Sequence, residues 1–116
     1  MELPNCDKCS KPVKREQGVL TISFKEVREA QREREAWEKE HPQPIKVLHD
    51  YLTYPKRINW KWGHRKCFQN SSYPIDATRL DSAEKVLHWT FHLMEKNWFM
   101  ATDWRGAINK LYPDSY

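Results

Sequence analysis

Cys6-Asp7-Lys8-Cys9 and Trp62-Gly63-His64-Arg65-Lys66-Cys67-Phe68, whose His64 follows Cys9 after a spacer of 54 residues, are the two stretches that decide how this chain folds. In each, two potential ligands are separated by two residues. Both can then approach one ion from a single tight backbone turn, which is what a tetrahedral ion asks of each half-site. The chain has three Cys, an odd number that does not suit a disulfide framework, and the two pairs use all of them. Lys8 and Lys11 flank the first pair, and Arg65 and Lys66 lie inside the second. Positive charge there favours thiolates and partly offsets the charge of three of them. Three unrelated buried thiols would leave the repeated spacing unexplained, and no βαβ pattern surrounds Cys6-Asp7-Lys8-Cys9 to suggest a redox pair. The expectation is one structural Zn2+ held by Cys6, Cys9, His64 and Cys67.

Working outward, Gln17-Gly18 reads as a turn into a β-element over Val19–Ser23. Ser23 then caps a helix from Phe24 to Glu40, with Glu26 placed for a capping box and His41-Pro42-Gln43-Pro44 as the stop. Its apolar residues, Phe24, Val27, Ala30 and Trp37, lie on one edge of an otherwise charged helix, the pattern of a solvated arm. Residues 45–54 read as a short helix, 58–62 as a strand leading into the second ligand pair, 69–72 as a turn and 75–78 as a strand. Asp81 and Glu84 form a second capping box for a helix over 82–96, apolar on most faces, with a polar stripe of Glu84, His88, His92 and Glu95 or Lys96. Thr102 or Asp103 caps a last helix over 103–112, where Trp104, Ala107, Ile108 and Leu111 follow the i, i+3, i+4, i+7 rule, and Pro113 closes it. Leu87, Phe91 and Met94, with Trp104, Ile108 and Leu111, are expected to supply most of the core's apolar surface.

The resulting fold class is α+β: a small zinc-binding β-element with a charged helix inserted, and a C-terminal helical hairpin forming the core. At 116 residues, two independent cores would each be too small, so residues 1–116 read as one domain, with a zinc-binding part at 1–80 and the hairpin at 81–116. A domain this small gains from a metal staple. No apolar run reaches the 18 residues of a membrane span, and the N-terminus resembles no signal peptide, so a cytoplasmic protein without membrane contact is expected.

Catalysis finds no foothold in the residues. There is no Gly-rich phosphate loop, no His-Glu-x-x-His, and four protein ligands leave a zinc ion no position for an activated water. The chain is therefore expected not to be an enzyme and to have no small-molecule substrate. His88 and His92 lie one helical turn apart but read as part of a polar stripe. The last helix, with Arg105, Asn109 and Lys110, is a weak helix-turn-helix candidate because its apolar connection, 98–101, suggests core anchoring.

Charge gives the clue to a partner. Residues 1–50 are net neutral, residues 51–80 carry +5, and residues 81–116 carry −1. The excess is Lys56, Arg57, Lys61, Arg65 and Lys66, with Arg79, interleaved with Tyr51, Tyr54, Trp60, Trp62 and Phe68. A basic strip at 56–68 with accessible aromatics suits a phosphate backbone and its bases; the same aromatics packed under the metal would make it an ordinary surface.

Cys6-x-x-Cys9 with Trp62-Gly63-His64-x-x-Cys67-Phe68 resembles the three-Cys, one-His zinc fingers that end in a His-x-x-Cys-Phe step, as in LIM domains and the nick-sensing fingers of poly(ADP-ribose) polymerases. The resemblance implies the same four ligands, a treble-clef-like local fold and Phe68 packed beneath the site. It covers about 25 residues in two blocks, and the 54-residue spacer is far longer than in either family. LIM modules bind proteins and the polymerase fingers bind DNA. The expected function is thus a small regulatory nucleic-acid-binding module. The alternative is a protein-binding adaptor or inhibitor of the kind that phages and mobile elements encode.

Overall fold

The computed structural model describes residues 2–42 and 54–112. Its centre is strand β1 (Gly18–Ile22), buried along its whole length. It is the middle strand of a three-stranded antiparallel sheet, between β3 (Lys61–His64) and β4 (Tyr73–Asp76). A strand covered on both faces needs a run of apolar residues rather than an alternating one, and Val19-Leu20-Thr21-Ile22 provides it with Thr21 as the one polar exception. Leu20 lies opposite Trp62 on one side and Ile75 on the other, and these three side chains sit in the hydrophobic core.

The strand expected over 58–62 is two strands. β2 (Ile58–Asn59) pairs in parallel with β5 (Thr102–Asp103), and β3 joins the main sheet. The break falls at Trp60, which is buried where the chain passes between the sheets and packs edge-on against Tyr73 and Trp104. The strand expected over 75–78 lies two residues earlier, because Ala77–Leu80 coils into a 3-10 turn.

Helix α1 (Phe24–Glu40) begins as the capping pattern requires. Ser23 Oγ accepts the Glu26 N–H at 3.4 Å, and Ser72 Oγ accepts the Phe24 N–H at 3.1 Å. Val27, Ala30 and Trp37 are its buried residues, so it is the arm that its charges imply. The short helix read over 45–54 falls mostly outside the described residues, as does Pro113.

The C-terminal helices depart further from expectation. Ser82, not Asp81, caps α2 (Ala83–Met94), accepting the Lys85 N–H at 3.2 Å, while Asp81 pairs with the Lys85 ammonium at 2.8 Å. Leu93 is the buried residue of α2, and Leu87, Phe91 and Met94 are 55%, 60% and 60% exposed. They are not core residues. The interior that they were expected to fill is occupied by Trp60, Trp98, Trp104 and Tyr73, a cluster of tilted and edge-on rings. α3 (Trp104–Leu111) follows expectation more closely. Asp103 caps it through the Gly106 N–H at 3.0 Å, Trp104, Ala107 and Leu111 are buried, and Ile108 is half-buried. The Trp62 indole N–H donates to the Ala107 carbonyl at 3.1 Å, so the sheet and α3 belong to one core.

Candidate metal centre

Three local devices place the ligands. The first pair sits in a knuckle: the Ser10 N–H donates to the Cys6 carbonyl at 2.9 Å, and the Cys6 N–H donates to the Lys11 carbonyl at 2.9 Å. The chain closes that turn by taking Ser10 into the left-handed region at φ 64°, and the Lys8 N–H points at the Cys6 sulfur at 3.4 Å. The second pair is set by the end of β3. His64 is its last residue, and the 3-10 turn Arg65–Phe68 carries Cys67 one turn further.

The third device joins the two. The Asp7 N–H donates to the Trp62 carbonyl at 2.8 Å, and the Trp62 N–H donates to the Asp7 carboxylate at 2.8 Å. One acidic residue inside the knuckle thereby satisfies both free backbone groups of Trp62 on the open edge of the sheet. Lys8 adds a bond from its ammonium to the Cys67 carbonyl at 2.9 Å.

These devices bring the ligand atoms of Cys6, Cys9, His64 and Cys67 within 4.8 Å of one another. His64 Nδ1 lies 3.4 Å from Cys9 Sγ and 3.8 Å from Cys67 Sγ. Around a tetrahedral ion with ordinary zinc–sulfur and zinc–nitrogen bonds, ligand atoms stand about 3.6–3.8 Å apart, so the cage has the right size. The other ring nitrogen, Nε2, lies 2.9 Å from the Pro12 carbonyl. A carbonyl can only accept, so Nε2 carries the proton and Nδ1 offers its lone pair to the site.

Gly63 is required by space. A Cβ there would clash with the Phe68 ring and stand 2.8 Å from Cys6 Sγ. The Phe68 ring thus lies against the backbone just before His64, under the centre, with the Lys8 ammonium 5.8 Å from its centroid.

The electrostatics suit a cation. Burial opposes ionisation of Cys6, but hydrogen bonds from the backbone of Cys9, His64 and Lys8 prevail, and its thiol is lowered to about 6. Cys67 is raised, first by burial and then by the neighbouring Cys6 and Cys9 sulfurs. A second and third thiolate beside the first are unfavourable until a divalent ion sits among them, at which point the sign of the interaction reverses.

Lys56, Arg57, Lys61, Arg65 and Lys66 are all exposed. Arg65 and Lys66 line a cavity of about 380 Å³ beside the metal centre, with Gln17, His64 and Gln69. Arg57 and Lys61 line a separate groove whose other wall includes Glu26, Glu29 and Glu33 of α1. Arg65 also bonds the Asp76 carboxylate at 3.0 and 3.2 Å. The aromatics expected to interleave with these cations are mostly occupied. Trp60 and Trp62 are 2% and 1% exposed, and Tyr54 packs on Trp37 and accepts from Arg34 at 2.7 Å.

Sequence reasoning missed Asp7, the Pro12 carbonyl and Gly63. An acidic residue inside the first knuckle and a glycine just before the ligand His were the available signals. His88 and His92 are exposed, and the ligand cluster does not include them. No protein-family model, curated protein or solved structure matches this chain. Among the described residues, no helix is long and apolar enough to cross a membrane.

Proposed function

We propose that this chain is a non-catalytic module built round one structural zinc ion, and that it binds the phosphate backbone of nucleic acid. Zinc is the metal because three soft thiolates and an imidazole in a cage of tetrahedral size suit it best. The knuckle, followed at a distance by a ligand at a strand end and another one turn on, supports the treble-clef-like reading. With four protein ligands the ion is coordinatively closed, so its role is to hold the chain.

One observation carries the partner. The metal centre unites residues 2–18 and 54–80, which together hold ten basic and four acidic side chains, and all ten cations are exposed. Around the centre itself stand Lys8, Lys11, Arg65 and Lys66, on backbone that the ligands fix, so little ordering entropy opposes a phosphate contact. The buried Trp60 and Trp62 leave few rings for unpaired bases, which moves the reading from single strands to a duplex backbone.

The test is a salt series with random duplex and single-stranded DNA and RNA. Four phosphate contacts on a duplex give a log–log slope of about −3.6, and Arg65→Glu with Lys66→Glu removes about half of it. No binding at low salt, or full affinity in the double variant, rejects this surface. A protein partner is the second reading, and the exposed Leu87, Phe91 and Met94 favour it. It predicts that the double variant keeps its partner and that the chain ignores nucleic acid.

A further inference from the structure

Thr21 is the polar residue of β1. Leu20 and Ile22 on either side of it enter the core, so its own side chain lies on the other face of the sheet, with those of Lys61 and Pro74 directly opposite. It is 4% exposed, and its Oγ1 is buried with no hydrogen-bond partner among the described residues. A buried hydroxyl without a partner destabilises the free chain, and a group that arrives to pair with it removes that penalty. Thr21 also lines a cleft of about 230 Å³, which lies between β3, the start of α1 and the turn after Phe68. The unpaired hydroxyl and the cleft are on the same side of the sheet.

The lining of the cleft decides what that group is. The Ser23 and Ser72 hydroxyls accept the Glu26 and Phe24 N–H groups of α1, so each keeps its own proton to donate. Asn59 and Asn70 each offer a donor and an acceptor. The charged side chains of the wall are Lys61 and Glu26, which cancel. A phosphate is negative and only accepts, and in this cleft it would face Glu26. A hydroxyl is neutral and both donates and accepts, which matches Thr21 and the mixed wall. At about 230 Å³ the cleft is smaller than the sites that enclose drug-sized molecules, so it suits a single ring. The half-buried Phe68 gives that ring an apolar wall.

We propose that this cleft receives a ribose through its 2′-hydroxyl, and that the nucleic acid bound by this chain is double-stranded RNA. The wide, shallow minor groove of an RNA duplex displays its 2′-hydroxyls, and DNA has no such group. The cleft adjoins the basic surface on two sides. Lys61 also lines the groove that holds Arg57, and Phe68 ends the 3-10 turn that carries Arg65 and Lys66. A backbone held by those cations therefore runs beside Thr21. The inference rests on the nucleic-acid reading and adds which nucleic acid it is.

The test is binding of the zinc-loaded chain, at one salt concentration, to duplexes of one sequence made as RNA, as DNA and as 2′-O-methyl RNA. The methylated duplex keeps the A-form but has lost the hydroxyl proton. One neutral hydrogen bond is worth about three- to tenfold in affinity, so RNA should bind that much more tightly than the other two. Thr21→Val keeps the shape of the side chain, suits a strand and removes a hydroxyl that has no partner, so the fold should survive it. It should bring RNA down to the affinity of DNA, and Asn70→Ala, at an exposed position, should lower RNA affinity in the same direction. RNA and DNA bound equally overturn the proposal and leave the backbone reading standing, whereas no binding to any duplex overturns both. Methylated RNA bound as tightly as RNA means that shape is read in place of the hydroxyl, and it also overturns the proposal. So does an RNA preference that survives both substitutions.

Discussion

Removing the metal, by chelation or by Cys67→Ser, should lower the melting temperature by about 15 °C without abolishing the fold. The proposed zinc ion would tie Cys9 to His64, positions 55 apart. Cross-linking a loop of that length restricts the unfolded chain by about 4 kcal/mol at 25 °C in the chain-entropy treatment. For a domain of this size each kcal/mol is worth roughly 4 °C. If the ion alone held residues 1–70, they would unfold entirely without it. The structure argues for a smaller loss, because β1 and β3 share their core with α3 through Leu20, Trp62 and Leu111, none of which touches the metal's charge balance. What the ion holds directly is the segment before Gly18, which otherwise keeps the Asp7–Trp62 pair and the Lys8–Cys67 bond. The assay is thermal melting under reducing conditions, zinc-loaded against chelated, with metal content checked by elemental analysis and hydrogen exchange followed at Cys6–Lys11. An unchanged melting curve after proven metal removal, or purified protein with no zinc near one equivalent, refutes the reasoning.

Gly63→Ala should weaken zinc binding and destabilise by about 1–3 kcal/mol, since its Cβ must displace Phe68 or the Cys6 sulfur; competition with a chromophoric chelator and denaturant melts check both effects. In the same melts, Leu93→Ala should cost ~2–5 kcal/mol and Phe91→Ala, measured at low concentration, about 0.5 kcal/mol or less. Equal losses would mean that the burial of α2 has been assigned to the wrong face. Asp81 is held below its ordinary 3.8, chiefly by the hydrogen bond from Lys85. A depressed folded-state value means that its contribution to stability is present above pH 3.8 and disappears as pH falls through the lower folded value. Lys85→Met should bring the Asp81 titration, followed by NMR of its carboxyl carbon, back toward 3.8, and an unmoved titration would dismiss the pair.

The ligand set was legible because each half-site is local: two residues, two apart, in a turn that sequence spacing encodes directly. The groups that finish the centre were not, because each works across the fold. Asp7 matters only because the edge of β3 leaves the Trp62 N–H and carbonyl facing it. The Pro12 carbonyl matters only because the knuckle returns beneath His64. The basic residues at 56–66 are divided between grooves for the same reason: residues adjacent in sequence there alternate between strand faces and a 3-10 turn. Arg57 and Lys61 reach the acidic flank of α1, while Arg65 and Lys66 reach the metal centre.

The fold was legible where one face of an element was plainly polar. α1 carries Val27, Ala30 and Trp37 on a single edge, so only one side could turn inward, and it did. α2 gave no such instruction. Its apolar residues are spread round the helix, and periodicity says that two faces want cover without saying which one the rest of this chain supplies. That choice was made elsewhere, by the aromatic rings of Trp60, Tyr73, Trp98 and Trp104, which fill the space between the sheets and leave room for Leu93 alone to enter fully from α2. α2 is thus apolar on two sides, one filled by Leu93 entering the core and the other, with Leu87, Phe91 and Met94, left exposed among the described residues.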